Sequence, residues 1–126
     1  MFKILIVENN LLFSQALRDA LQAHFPTAEL AQAESVQAAL AALESMRPDL
    51  IFLDIGLPDG NGLELARRLR AAGVDAVIAI FTTHDLPEYR DEAARSGANH
   101  FLVKGSTSLS EIFALAEAAP ASRSSP

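Results

Sequence analysis

Five polar residues stand where apolar runs of the chain finish, and their types suit the handling of charged ligands. Glu8 and Asn9 follow the run Phe2 to Val7, and Asp54 follows Leu50 to Leu53. Thr82 follows Ala76 to Phe81, and Lys104 follows His100 to Val103. Singly, each has an ordinary explanation. Asp54 suits the turn Gly56-Leu57-Pro58-Asp59-Gly60 that follows it, Lys104 suits solvent, and a β-branched threonine suits a strand. Together they bring an acid, an amide, a second acid, a hydroxyl and an amine to one rim, if the four runs are parallel strands. That rim is where open α/β sheets bind ligands. Thr83 is the alternative hydroxyl, but the register after the apolar run favours Thr82. Other chemistries lack their residues. The chain has no cysteine, so thiolate nucleophiles, thiolate metal sites and disulfides are excluded. His24, His84 and His100 are scattered without the helix-face spacing of a zinc site. Gly60 and Gly62 do not form the GxxxxGK[ST] loop that cradles phosphates.

The elements that must position these residues alternate between two hydrophobic periods. FKILIV, from Phe2 to Val7, is a nearly continuous apolar run, as expected of a strand buried on both faces. From Leu12 the stripe Leu12, Ala16, Leu17, Ala20 and Leu21 has helical spacing, and Pro26 closes that region. Glu29 to Ala33 reads as a weak strand. Ser35 then caps a helix carrying Val36, Leu40 and Leu43, which Pro48 stops. Leu50 to Leu53 is a buried strand, and Leu63 to Ala72 a helix ending at Gly73. Ala76 to Phe81 is the next strand. Asp85-Leu86-Pro87-Glu88 offers a cap, an early proline and a glutamate three positions on, opening a helix that runs to Gly97. His100 to Val103 is the last strand, and Ser108-Leu109-Ser110-Glu111 is a capping box for a helix that fades near Pro120. Five strands alternating with five helices predict a doubly wound parallel sheet with helices on both faces. Residues 120–126 (PASRSSP) read as a flexible tail or linker.

At 126 residues, half of them hydrophobic, the chain suits one domain with a substantial core. A net charge of −6 argues against direct nucleic-acid contact by this segment. No apolar run is long enough to span a bilayer, and the start lacks the pattern of a cleavable leader. A cytoplasmic, soluble chain is the expectation.

ILIVENN, PDLIFLDIGLPDGNGLEL, AVIAIFTTHD and SGANHFLVKG, in this order, resemble the receiver domains of bacterial two-component response regulators. The likeness covers about residues 3–119, so 1–119 is taken as the receiver domain. LIVENNLLFSQALRDAL is most similar to the subfamily that carries helix-turn-helix output domains, which links the chain to transcription regulation. The resemblance implies a flavodoxin-like sheet of strand order 2-1-3-4-5. It implies Asp54 as phosphoacceptor toward a histidine kinase or phosphotransfer protein. Glu8 and Asn9 fall at the family's acidic pair, so with Asp54 and the Gly56 carbonyl they would ligate a divalent cation, usually magnesium. Lys104 would pair with phosphoryl oxygens, Thr82 would be the switch hydroxyl, and Phe101 the aromatic that changes rotamer with activation. An output domain or downstream protein and a second copy are the further partners implied. Phosphoryl transfer requires positioning and charge neutralisation more than covalent chemistry, which accounts for these residue types.

Two positions depart from the family's pattern. The acidic pair is usually two acids, and here its second member is Asn9. An amide oxygen still ligates but carries no formal charge. With an effective dielectric near 20 and a separation of about 4 Å, the lost attraction is roughly 4 kcal/mol before desolvation offsets it. Weakened magnesium binding is therefore expected. Gly105 stands where many receivers have proline after the lysine, which removes the reason to expect a cis peptide there. Asn9 also motivates the rival reading, a pseudo-receiver acting as an interaction domain without phosphorylation control. A hydrolase using Asp54 as a turnover nucleophile lacks a second carboxylate acid beside it, so a signalling module rather than an enzyme is expected. A flavodoxin-like cofactor binder lacks a phosphate loop after the first strand.

Overall fold

In the computed structural model, which describes residues 2–123, the apolar runs form strands and the stripes form helices. The order is β1 (Lys3–Val7), α1 (Leu11–His24), β2 (Glu29–Ala33), α2 (Val36–Ser45), β3 (Leu50–Asp54), β4 (Gly56–Leu57), β5 (Gly60–Asn61), α3 (Gly62–Ala71), β6 (Val77–Thr82), α4 (Pro87–Arg95), β7 (His100–Val103) and α5 (Leu109–Arg123). β4 and β5 form a small antiparallel hairpin of their own. The other five strands make one parallel sheet in the order β2-β1-β3-β6-β7, the expected 2-1-3-4-5 winding once the hairpin is set aside.

The continuous runs follow from burial on both faces, because successive side chains point to opposite sides. Leu5, Val7, Ile51, Leu53, Ile78 and Ile80 face one core, with Ala39 of α2, Leu65 of α3 and Ala93 of α4. Ile4, Ile6, Leu50, Phe52, Val77, Ala79 and Phe81 face the other, with Leu17 and Leu21 of α1 and Ile112 and Ala116 of α5. The weak second strand is a sheet edge. Its side chains are exposed or half-buried except Ala33, and its register with β1 sets Glu29 beside Lys3, an ion pair of 3.7 Å.

Local capping mostly follows the sequence signals. Ser35 accepts the Ala38 N–H at 3.0 Å, and Ser108 and Glu111 form the reciprocal capping box of α5. Gly73 and Gly97 take positive φ just past α3 and α4. Two expectations are corrected. Asp85 does not cap α4. The cap position is Leu86, which has no side-chain capping bond, and the Asp85 carboxylate instead accepts from Arg90 Nε at 2.8 Å. An arginine five residues on outcompetes the helix N–H groups for this carboxylate. The last helix does not fade at Pro120 but continues to Arg123 with that proline inside it. The expected linker's last residues, 124–126, lie outside the described residues.

Arg70 ties the end of α3 to the sheet. Its guanidinium donates to the carbonyls of Gly97, Val74 and Ala76 and to Asn99 Oδ1, at 2.7 to 3.0 Å. Asn99 Oδ1 also accepts the Ile78 N–H. Arg70→Leu leaves these acceptors without their donor, so urea denaturation should show a loss of about 2 kcal/mol.

Candidate functional site

β1, β3, β6 and β7 end at the same rim, and their terminal residues meet there. Glu8 follows β1 and is 3% exposed. Its Oε2 accepts the Asn10 N–H at 2.9 Å, a turn that aims Oε1 back over the sheet. Asp54 is the last residue of β3, and its Oδ1 accepts the N–H of Ile55 at 2.8 Å. Lys104, one residue beyond β7, spans both acids. Its Nζ is hydrogen-bonded to Glu8 Oε1 and lies 3.4 Å from Asp54 Oδ2. The backbone N–H of Lys104 bonds to the Thr82 carbonyl at 2.8 Å, which fixes where the side chain starts. Gly105 has φ of 85°, a value proline cannot adopt, and among the described residues no peptide bond is cis.

Burial, with repulsion from the Glu8 carboxylate next, raises the Asp54 carboxyl above its ordinary value, and Lys104 opposes both. A partly buried carboxylate perturbed by a neighbouring acid and an ammonium marks a candidate functional site.

Of the expected site residues, Glu8, Asp54 and Lys104 are in mutual contact. Thr82 is buried at the end of β6, and its Oγ1 accepts the His84 N–H at 3.1 Å, whereas Thr83 is exposed. Asn9 and Gly56 are exposed on the loops beside the acids, Gly56 within the hairpin. Phe101 is half-buried on β7, with the Arg90 guanidinium 4.7 Å over its ring. The candidate metal donors are all oxygens, which fits a hard divalent cation. They include only two carboxylates, Glu8 and Asp54, both engaged by Lys104. No cluster of three or more acidic, histidine or cysteine ligands occurs among the described residues. Two carboxylates with an amide and a backbone carbonyl oxygen are a donor set that fits magnesium.

Four contributors escaped the sequence reading. Asn10 caps α1, accepting the Phe13 N–H at 3.1 Å. Asp59 accepts the N–H groups of Val36 and Gln37 at 2.7 and 3.0 Å, bonds that lower its carboxyl below the ordinary value and lock the hairpin to α2. Gly62 opens α3 so near β3 that a Cβ there would lie 1.9 Å from the Asp54 carbonyl oxygen. Phe13 places its ring 4.5 Å from the Lys104 ammonium. For Gly62, the glycine at the first helical position after PDGN was the available signal. For Phe13 there was none beyond helical spacing.

Residues 4–117 match the response regulator receiver domain family. The chain belongs to that family and is a receiver domain of a two-component response regulator. Over 104 residues it is 35% identical to the DNA-binding transcriptional activator DevR/DosR of Mycobacterium tuberculosis, covering 82% of this chain and 48% of that protein. It is 34% identical over 102 residues to response regulator MprA of Mycolicibacterium vanbaalenii, covering 81% of this chain and 43% of that protein. The chain thus spans less than half the length of these curated relatives. A two-component response regulator from Clostridium difficile superposes with a TM-score of 0.91 at 26% identity, covering 99% of this chain and 100% of that one. Response regulator TrrA of Thermotoga maritima, in complex with Mg(2+)-BeF, superposes with a TM-score of 0.82 at 29% identity, covering 94% and 99%. No helix among the described residues is long and apolar enough to cross a membrane.

The raised Asp54 carboxyl yields a signed expectation. A carboxylate that binds its proton more tightly in the folded than in the unfolded chain penalises folding once both states are ionised. Asp54→Asn should therefore melt higher than the native chain at neutral pH in metal-free buffer. The gap should close as pH falls through Asp54's raised value toward the ordinary carboxylate range, as followed by circular dichroism melts.

Proposed function

We propose that this receiver domain accepts a phosphoryl group on Asp54 from a histidine kinase or phosphotransfer protein, and that the modification switches a surface read by an output domain or partner. The observation that carries the reading is the triad of Asp54, Glu8 and Lys104 at the strand-end rim, with the Thr82 hydroxyl buried at the neighbouring strand end. An Asp54 oxygen would attack phosphorus while the donor leaves with its bonding pair, and the Lys104 ammonium would turn to the new phosphoryl oxygens. Glu8, Asn9, Asp54 and the Gly56 carbonyl would hold a magnesium ion, which when bound neutralises phosphoryl charge. Thr82 would exchange the His84 N–H for a phosphoryl oxygen, donating its hydroxyl. That loop leads to Asp85, Arg90 and the Phe101 ring, a physical route from the rim to the α4–β7 face.

On this reading the chain acts as a cytoplasmic signalling module rather than a turnover enzyme. Its likeness to a DNA-binding transcriptional activator over that protein's receiver-sized share supports control of transcription through a separate output domain. A net charge of −6 supports leaving DNA contact to that other domain.

Backbone amide NMR tests the reading. With magnesium present, beryllofluoride, a phosphoryl mimic on aspartate, should shift Asp54, Thr82 and Lys104, and the shifts should extend to Phe101. Asn9→Asp should tighten magnesium binding about 10-fold, because a neutral ligand becomes a carboxylate. Silence of the native chain at saturating magnesium and beryllofluoride, with a response restored by Asn9→Asp, would establish the pseudo-receiver instead.

A further inference from the structure

We infer that Phe13 is a positioning residue for Lys104, its ring forming the third wall of the seat that holds the ammonium for phosphoryl transfer; the inference rests on the function proposed above. Three groups surround Lys104 Nζ: Glu8 Oε1 in hydrogen-bond contact, Asp54 Oδ2 at 3.4 Å, and the Phe13 ring at 4.5 Å from its centroid. The first two are acids whose side chains are almost removed from water. The third is a π face within the range at which a cation is attracted to a ring. Phe13 is itself held from two directions. Asn10 accepts its N–H at 3.1 Å, which pins the first turn of α1, and its ring meets Phe81 edge to face at 5.1 Å and 81°. Phe81 in turn belongs to β6, paired with Asp54 of β3 and one residue before Thr82. The ring is therefore anchored to the strands that carry the acceptor and the hydroxyl.

This wall has a different role from the two acids. When Asp54 gains a phosphoryl group, the ammonium must leave its present hydrogen-bond geometry and follow the new oxygens. A hydrogen bond to Glu8 is directional and weakens steeply with such a shift. The attraction of a ring face is broad. An ammonium starting at 4.5 Å stays within about 6 Å of the centroid through a displacement of about 1 Å. The ring also keeps water from the ammonium, which strengthens its attraction to phosphoryl oxygens. Asn9, next to Glu8, is uncharged and supplies no further carboxylate near the ammonium, which leaves more of its seat to this wall.

The test must separate ring electronics from packing, because Phe13 also packs on Phe81. Replacing Phe13 with 4-fluoro-, 3,5-difluoro- and pentafluorophenylalanine keeps the ring's outline while draining its negative face. Two readouts apply, beryllofluoride affinity in the presence of magnesium and the rate of Asp54 phosphorylation by acetyl phosphate. In the latter an Asp54 oxygen bonds to phosphorus as the phosphorus–acetate bond breaks and acetate departs with the electron pair. Both should fall progressively along the series, by about 2- to 30-fold in total, with the fold intact by circular dichroism at the assay temperature. In metal-free protein the Lys104 ε-methylene protons should sit upfield from the ring current, and Phe13→Leu should abolish that shift. A native chain that binds beryllofluoride with a flat fluorination series overturns the positioning role and leaves the proposed function standing. A native chain that binds no beryllofluoride removes that function and this role with it, and a surviving ring-current shift would then mark Phe13 as packing alone.

Discussion

The contact on which the site depends is the Lys104 ammonium lodged between Glu8 and Asp54. Two carboxylates this well covered repel each other, and an unpaired buried charge is costly. One lysine from β7's end reduces both problems. It does so only if β1, β3 and β7 finish at the same height, with β6 between β3 and β7. The parallel order β2-β1-β3-β6-β7 meets that requirement. The backbone bond from Lys104 to the Thr82 carbonyl then extends the β6–β7 ladder by one step, so the lysine's origin is set by the sheet rather than by a loop. The site is organised by strand registry first and by side-chain attraction second.

Registry also explains what was legible in the sequence. Runs such as ILIV and LIFL are apolar at every position because alternate side chains enter different cores, and that alone marks them as interior parallel strands. Once they are parallel strands, the residues after them must share a rim, so Glu8, Asp54, Thr82 and Lys104 were readable before any coordinates. Residues whose part depends on approach between distant segments were not. Gly62 matters because α3 passes against the Asp54 carbonyl, and Asp59 because the hairpin folds back on α2. Phe13 carries the ordinary signature of a half-buried helical residue, and nothing local announces a lysine ninety-one positions away. Asp85 shows the converse error. Its spacing satisfied the capping pattern, but Arg90 within reach of the same carboxylate won it.

Asn9, an uncharged residue beside Glu8, stands apart from this arrangement. Asn9 is exposed and lies outside the contact set of Lys104, while Glu8 gives Oε1 to Lys104 and Oε2 to the Asn10 N–H. The two members of the pair are therefore unequal. Glu8 belongs to the internal charge balance, and its loss would leave Lys104 and Asp54 without their organiser. Asn9 faces the solvent side, where a cation would enter, so its neutrality bears on the ion without disturbing the triad. The Asp54–Lys104 pairing therefore does not depend on Asn9. On the proposed function, a neutral Asn9 would leave a divalent ion to be held mainly by Glu8 and Asp54, whose carboxylates Lys104 already pairs with. Competition between the resident ammonium and an arriving divalent ion for Glu8 and Asp54 would then govern how readily Asp54 takes a phosphoryl group.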